Sequence, residues 1–342
     1  MSQKLVLMKP LVLAAALLLA ASLPAWGQGL PRSLRISTNP QGSIFYSAGS
    51  NVAKILSKHL PLKARVQPYS GTSVALPLVN SGEVELGLNN TNDVRMAYRG
   101  LKPFIPSPKL RLINVMFTLR VAAFVHHNNK SVMTLTDLRG KRVTGDFSAQ
   151  LAVWYNATSI LGGAGLGWKD VKKVSTANVI TGTQLLIEGK VDAAFFAIGA
   201  GKTREANATI PGGIRWLSIN ASPAGVRKMQ EIMPGTYPLK VKKGSAPGVR
   251  EDIVVEAYDA FIVSSPSLSD EAAAAIVMTL AKNEAEVRKS FRPFRPFSAK
   301  KMAKTNVTIP YHTGAIKAYR ELGLWSADLE RLQAKLLSEA AR

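Results

Sequence analysis

The sequence predicts an α/β protein of two lobes, each with a mainly parallel sheet flanked by helices, joined by two crossing strands. Short apolar runs alternate with stretches whose apolar residues recur every three or four positions, which favours parallel strands covered by helices. A phrase made of Gly71–Thr72, a helix and Gly82–Leu86 returns as Gly182–Thr183, a helix and Gly189–Ala193. Such an echo indicates two lobes of related design. A chain of 342 residues has room for both.

The first 27 residues are interpreted as a cleaved secretory signal peptide. Lys4 and Lys9 precede an unbroken apolar run, Leu11–Ala21, and Ala25–Gly27 ends it with small residues at the positions that a signal peptidase reads. An uncleaved N-terminal anchor is the alternative. The sequence therefore predicts a periplasmic protein, and its lack of cysteine requires a fold that holds there without disulfides.

The first lobe is predicted to begin with strands that alternate with helices. Three strands are expected, at Leu34–Thr38, Ala64–Pro68 and Val84–Leu88. Apolar residues at helical spacing lie between them, from Phe45 to Leu60 and from Val74 to Val79, and Gly82 ends the second helix.

The chain then is expected to cross into the second lobe and return. Lys109–Val125 and Ala257–Val263 are the two crossing strands, and Lys141–Val143 opens the second lobe. After the return, Leu268–Val287 is predicted to form one long helix capped by Ser269. These elements place lobe 1 at 32–125 and 256–342, and lobe 2 at 126–255.

The charge balance is strongly basic, with 44 Lys and Arg residues against 22 Asp and Glu residues. In a cytoplasmic protein this excess would favour nucleic acid, but predicted export argues against that partner. A positive field that attracts anionic solutes, or an anionic membrane or envelope surface, suits an exported protein. Charges that simply face solvent are an equally good interpretation.

No pattern in the sequence requires catalysis or a metal. The four histidines are isolated except for His126 and His127, whose adjacency points their side chains in different directions on a strand. A nucleophile elbow, a phosphate-binding lysine loop and a zinc-protease motif do not occur. We therefore expect neither an enzyme, a metal site nor a cofactor, although an exported hydrolase remains a rival.

Binding is better supported, because three polar loops follow predicted strands at the edge where α/β sheets hold ligands. These loops are Thr38–Tyr46, Ser70–Ser73 and Asn89–Asn92. The third is either a binding loop or a helix cap made by Thr91 or Asn92. In the second lobe, the aromatic side chains of Trp154 and Phe196 either line a ligand pocket or belong to the hydrophobic core.

Several phrases, taken in order, resemble the TAXI-type solute-binding proteins of tripartite ATP-independent periplasmic (TRAP) transporters. The likeness covers nearly the whole chain after the signal segment. It rests on the glycine and aromatic pair within Thr38–Gly49, the helix start Gly71–Val74, the phrase Ser81–Leu86, the lobe opening Asp137–Val143 and the ending Ile309–Ala315 with Tyr319, Glu321 and Gly323–Trp325. Two loops, Asn39–Ser43 and Ala149–Val153, carry fewer glycines than the family pattern.

The resemblance implies a type II periplasmic binding protein fold that closes on a small organic anion, a carboxylate or an amino acid, with dicarboxylates among the carboxylates. It also implies delivery of that solute to TRAP-type permease subunits; a protein that signals to a membrane sensor kinase is the alternative. The ligand contacts that the resemblance implies are Gly42, Ser43, Phe45, Tyr46, Thr72, Asn90 and Gln150–Val153. The loop argument adds Ser73, Thr91, Asn92, Trp154 and Phe196.

Closure is expected about the crossing strands, near Val125 and Phe261, so that Gln150, Trp154 and Phe196 come over the solute. Replacing Tyr46 or Asn90 with Ala is expected to weaken solute binding and to leave the melting temperature of the free protein nearly unchanged.

Overall fold

The computed structural model describes residues 29–340. The predicted signal peptide, 1–27, lies outside the described residues. Among the helices that are described, none combines the length and the apolar character needed to span a bilayer.

Ten strands form an eight-stranded and a two-stranded sheet in the described part of the chain. They are β1 Ser33–Thr38, β2 Lys63–Pro68, β3 Leu86–Asn90, β4 Arg111–His126, β5 Arg142–Asp146, β6 Lys172–Thr176, β7 Ala194–Ala197, β8 Ile214–Trp216, β9 Tyr237–Val241 and β10 Ile253–Ser264. The larger sheet has the order β2-β1-β3-β10-β4-β7, with β8 paired to β4 and β9 to β10. Strands β5 and β6 form the smaller sheet.

Eleven α-helices cover these sheets in residues 29–340. They are α1 Ile44–His59, α2 Thr72–Ser81, α3 Thr91–Tyr98, α4 Leu151–Gly163, α5 Val179–Ile187, α6 Gly201–Thr209, α7 Pro223–Ile232, α8 Asp270–Lys282, α9 Glu284–Ser290, α10 Thr313–Glu321 and α11 Ala327–Ala340. Short 3₁₀ turns lie at Leu135–Leu138, Trp168–Asp170, Arg292–Phe294 and Ala299–Lys301.

The two crossing strands are the longest in the protein and lie side by side. β4 and β10 pair antiparallel along most of their length, from Glu256 opposite Val121 to Ser264 opposite Arg111. Strands β1, β2 and β3 run parallel to one another on one side of this pair, and β5 and β6 run parallel to each other. The α/β class, with mainly parallel sheet units, helical layers and two crossing strands, is confirmed.

Two predicted helices differ from the structure. The expected helix Leu268–Val287 is two helices, α8 and α9, because Asn283 turns its side chain back to the carbonyl of Thr279 at 2.8 Å and takes a non-helical backbone. Ser269 caps α8 as predicted. The other case is α5, which was expected after Thr183 but begins at Val179, since the side chain of Asn178 caps it.

Polar contacts join the two predicted lobes directly. The boundaries of lobe 1 (32–125 and 256–342) and lobe 2 (126–255) stay a prediction, and these two names denote those stretches of chain below. One sheet runs through both of them by way of β4 and β10. The lobes meet where the first turns of several helices face each other, and the candidate site lies there.

Candidate functional site

The loop after β1 brings lobe 1 against lobe 2. Ser43 ends the loop and caps α1, its Oγ accepting a hydrogen bond from the Tyr46 N–H at 3.0 Å. Gly42 has a φ of 88°, a left-handed conformation that glycine adopts without strain. Its carbonyl accepts from the N–H of Lys202, the second residue of α6, at 3.0 Å. The loop therefore closes one side of the interlobe contact.

A second contact joins the start of α2 to the loop before α4. The hydroxyl of Ser73 donates to the carbonyl of Ala149 at 3.2 Å. Gly71 precedes α2, and a Cβ placed on it would lie 1.5 Å from that same carbonyl oxygen. Only glycine permits so close an approach, so the residue at position 71 controls how near the start of α2 lies to the loop before α4.

Between these two contacts lies a small cavity of about 30 Å³. Both lobes and both crossing strands contribute to its walls. Its lining residues are Asn39, Ser43, Ile44, Phe45, Leu119, Val121, Gln150, Val153, Asn156, Val179, Phe196, Ala197 and Tyr258. The volume is enough for about one water molecule, and the lining contains no Lys, Arg, Asp or Glu side chain.

Three helices begin at the wall of this cavity. Ile44 is the first residue of α1, Val179 is the first residue of α5, and Gln150 immediately precedes α4. The first turn of a helix carries free N–H groups and a partial positive charge, which favours anions. The cavity wall thus combines three helix N-termini with an absence of cationic side chains in its lining, and the oxygens of Ser43, Gln150 and Asn178 already accept from first-turn N–H groups of α1 and α5.

Gln150 adds a hydrogen-bond donor that is not in use. Its Oε1 accepts from the N–H of Val179 at 2.9 Å, which ties α4 to α5. Its Nε2 has no partner among the described residues, and the side chain is 2% exposed. A buried amide donor without a partner is costly, so this group is suited to an acceptor on a bound solute.

Beside the cavity, a buried aspartate lies where lobe 1 meets α4. Asp93 is 1% exposed, and its Oδ2 accepts from the hydroxyl of Thr72 and from Asn90 Nδ2, the latter at 2.8 Å. Burial raises the pKa of Asp93 to about 6, while hydrogen bonds from Thr72, Asn90 and the Ala152 N–H favour the ionised form. The side-chain partners of Asp93, Thr72 and Asn90, both belong to lobe 1.

Asn90, and not Thr91 or Asn92, caps α3. The Oδ1 of Asn90 accepts from the Asp93 N–H at 2.8 Å. The strand β3 extends as far as Asn90, so Thr91 is already the first helical residue and its hydroxyl donates to the carbonyl of Asp259 at 2.6 Å. The expectation that Thr91 or Asn92 is the cap is wrong, because the helix begins earlier than the amide cluster suggests.

A second buried carboxyl group stabilises the opposite wall. Glu256 of β10 is 0% exposed and accepts hydrogen bonds from Asn156 Nδ2 and Ser159 Oγ, both on α4. The hydroxyl of Tyr258 donates to Asn156 Oδ1 at 3.2 Å. Burial raises the pKa of Glu256 to about 8, so this carboxyl group is mostly protonated at neutral pH. The network ties α4 to a crossing strand.

The structure brings five of the fifteen predicted ligand contacts to the cavity wall: Ser43, Phe45, Gln150, Val153 and Phe196. Thr72, Ser73 and Asn90 take part in the hydrogen bonds described for the starts of α2 and α3. The others are not among the lining residues: Gly42, Tyr46, Thr91, Asn92, Leu151, Ala152 and Trp154. Trp154 packs edge-on against Tyr155, with ring centroids 5.0 Å apart. The part of all fifteen in binding stays a prediction.

Three polar residues of the lining were not among the predicted ligand contacts: Asn39, which lies in the first predicted binding loop, and Asn156 and Tyr258, which lie outside all three loops. Asn156 and Ser159 lie three positions apart on one face of a largely apolar helix, and that spacing was a usable signal of a buried polar network. Tyr258 and Glu256 alternate on a crossing strand, which places them on one face. In residues 29–340 no group of three or more His, Asp or Glu side chains could hold a metal ion.

The fold is that of the type II periplasmic binding proteins. The sequence profile of the NMT1-like family matches residues 36–323, and the chain belongs to that family. No curated protein sequence matches the chain.

Solved structures share the fold at low sequence identity. PhnD1 from Prochlorococcus marinus, in complex with methylphosphonate, has a TM-score of 0.53 and 14% identity, with coverage of 86% of this chain and 100% of that chain. A periplasmic transporter has a TM-score of 0.51 and 12% identity, covering 89% and 95%. The aliphatic sulphonate binding protein SsuA from Escherichia coli has a TM-score of 0.46 and 16% identity, covering 90% and 91%.

Proposed function

We propose that this protein is a periplasmic receptor that captures a small organic anion, a carboxylate or an amino acid, between its lobes. The observation that carries the proposal is the convergence of three helix N-termini on one cavity, beside the unused Nε2 donor of Gln150. Backbone N–H groups, helix dipoles and an amide donor together form an anion site that needs no cationic side chain.

Capture requires the lobes to move. A cavity of about 30 Å³ is too small for an organic acid, so the solute enters an open form and the lobes close on it. The hinge belongs to the crossing strands, near Val125 of β4 and Phe261 of β10. A solute shifts the protein toward closure only if it contacts both lobes better in the closed form, and the cavity lining comes from both.

The delivery step is proposed from the sequence phrases shared with TAXI-type proteins. They support a TRAP-type permease as the membrane partner, after cleavage of the signal peptide. The alternative, a receptor that signals to a membrane sensor kinase, uses the same site and fold. Uptake of radiolabelled solute into proteoliposomes that contain the candidate permease separates the two, since a sensing protein would not support uptake.

The binding proposal is tested by calorimetry and thermal shift with carboxylates, amino acids and the corresponding neutral amides. We expect carboxylates to raise the melting temperature and the amides to do so less, because a ligand of the folded state stabilises it. Gln150→Leu is expected to weaken carboxylate binding roughly tenfold, since it removes a hydrogen bond to a charged group.

Gln67→Leu, a change on β2 away from the cavity, is the matched control and should bind as the unchanged protein does. A protein that no carboxylate or amino acid stabilises would contradict the anion proposal. If Gln150→Leu and Gln67→Leu bound carboxylates equally well, the anion site would not include Gln150.

A further inference from the structure

The segment that follows α9 repeats the tripeptide Arg-Pro-Phe, and the solute site does not use it. It reads FRPFRPF, from Phe291 to Phe297. The N–H of Phe294 donates to the carbonyl of Phe291, and the N–H of Phe297 donates to the carbonyl of Phe294, both at 2.8 Å. Turns of three residues place every third side chain on the same side. The segment therefore has an aromatic side and an arginine side.

The aromatic side fixes the segment to the protein. Phe294 is 0% exposed and Phe297 is 5% exposed. The ring of Phe294 packs against those of Phe291 and of Phe117 on β4, with centroids 5.2 Å and 5.5 Å apart. A proline follows each arginine and fixes its own φ angle. Core packing and the prolines together hold the backbone from which the two arginines project.

The arginine side forms one wall of a basic concave surface. Arg292 and Arg295 line an open concavity of about 680 Å³, together with Arg288, Lys289 and Ala285 of α9. All four basic residues are exposed. Arg288 joins the helix to the segment, because its Nε donates to the carbonyl of Arg295 at 2.9 Å. These four basic residues are termed the basic patch.

Little acidic charge opposes the basic patch. Arg288 approaches Glu284 at 3.9 Å, and the other three residues of the patch form no ion pair within the described chain. The second acid of α9, Glu286, is paired with Lys58 and His59 of α1, at 2.9 Å and 2.8 Å. Clustered positive charge without a counter-charge attracts anionic partners.

The basic patch is suited to a surface that carries many phosphate groups. A guanidinium group binds two phosphate oxygens at once, and a backbone that is already fixed loses less freedom on binding. The concavity is lined by one small apolar residue, Ala285, and by no aromatic or large aliphatic side chain. It therefore lacks the buried anchor residues that dominate protein–protein interfaces. The net charge of +22 adds a general attraction to anionic membranes.

We propose that the basic patch docks this protein on the anionic phospholipid headgroups of a membrane surface. Predicted export places the protein beside such a surface, and docking keeps it there. The inference goes beyond the proposed function and does not depend on it, because the basic patch and the interlobe cavity share no lining residue.

The first test is sedimentation of the protein, purified from the periplasm, with lipid vesicles. We expect binding to vesicles made of equal parts phosphatidylglycerol and phosphatidylcholine, and little binding to vesicles of phosphatidylcholine alone. Binding should fall steeply from 0.1 M to 1 M salt, since the screening length shortens from about 10 Å to about 3 Å. Equal binding to the two kinds of vesicle, or no binding to either, overturns the proposal.

The second test is the double variant Arg292→Gln with Arg295→Gln, with melting temperature recorded to show that it folds. Affinity for the phosphatidylglycerol vesicles should fall at least about tenfold, because each basic residue near an anionic surface contributes about fivefold. The control is Arg65→Gln with Arg227→Gln, which removes two exposed arginines of β2 and α7 that form no ion pair in the described part of the chain. It should bind the vesicles as the unchanged protein does.

The outcomes separate the basic patch from general charge and from other occupants. An equal loss in both double variants assigns vesicle binding to net charge and overturns the proposal. A patch variant that binds vesicles as tightly as the unchanged protein also overturns it, and points to another occupant such as an acidic protein surface. Solute binding, measured by calorimetry, should be the same in both double variants and in the unchanged protein, so the proposed function stands or falls by a separate measurement.

Discussion

At the scale of single residues, Asn90 shows how one side chain both caps a helix and donates to a buried carboxylate. Its Oδ1 caps α3 and its Nδ2 donates to Asp93, both at 2.8 Å, and the residue is 2% exposed. The expectation that Asn90→Ala leaves the melting temperature unchanged assumed a side chain free to contact solute. The structure leads to a different expectation.

Asn90→Ala is expected to lower the free energy of unfolding by about 1–2 kcal/mol, because it removes a helix cap and leaves the Asp93 N–H without its partner. Chemical denaturation of the free protein measures the change. The neighbouring Asn92→Ala is the control, since Asn92 Nδ2 has only a contact of 3.6 Å with the sulfur of Met96. An equal loss in both variants would show that the cap is not the cause.

At the scale of elements, closure depends on how nearly the start of α2 approaches the loop before α4. Gly71 has an extended backbone, with a φ of 179°, that any residue can adopt. What requires glycine there is the carbonyl of Ala149 in the other lobe. A methyl group at this position therefore acts on the closed arrangement and leaves each lobe's own backbone unstrained.

Gly71→Ala is expected to favour the open form, seen as a larger radius of gyration by small-angle X-ray scattering. If fewer than a tenth of the molecules remain able to close, apparent solute affinity falls about tenfold. Gly167→Ala is the matched control. Gly167 has a φ of −128°, and a Cβ placed on it would lie 3.8 Å from Oδ2 of Asp170, an ordinary van der Waals distance. Unchanged scattering and affinity in Gly71→Ala would mean that the two elements do not limit closure.

At the scale of the whole molecule, two of the buried carboxyl groups, those of Glu256 and Asp93, link stability to pH. Burial raises the pKa of Glu256 from 4.5 to about 8 and that of Asp93 from 3.8 to about 6. At pH values between the ordinary and the raised pKa of each group, the folded protein keeps a proton that the unfolded chain releases. Stability therefore falls as pH rises, from about 4 to 6 for Asp93 and from about 4.5 to 8 for Glu256.

We expect the free energy of unfolding to decrease between pH 5 and pH 8, by an amount on the order of a few kcal/mol. Glu256→Gln keeps a neutral side chain of the same shape at every pH, so its profile should be flatter. Urea denaturation at several pH values provides the measurement, with Asp328→Asn as a control that keeps the original slope. A Glu256→Gln profile as steep as that of the unchanged protein would show that Glu256 does not titrate in this range.

Local patterns in the sequence were sufficient for most of the architecture. Apolar periodicity placed β1, α1, β2, α2 and both crossing strands within a few residues of their observed bounds, because strand and helix periods follow from which faces are buried. The polar loop after β1 also led to Ser43 and Phe45, which line the cavity. A loop at the carboxyl end of a parallel strand must open onto that edge of the sheet.

The sequence by itself determined the alternation of strands and helices, the two crossings and the polar loops at the strand ends. Tertiary structure alone decided which of those loops meet, because Ser73 and Ala149 are far apart along the chain and come within 3.2 Å of each other only in the fold. It also decided the ionisation of Asp93 and Glu256, since burial and the direction of nearby N–H groups set a carboxyl pKa. Residue type alone gives neither which loops meet nor the pKa of a buried carboxyl group.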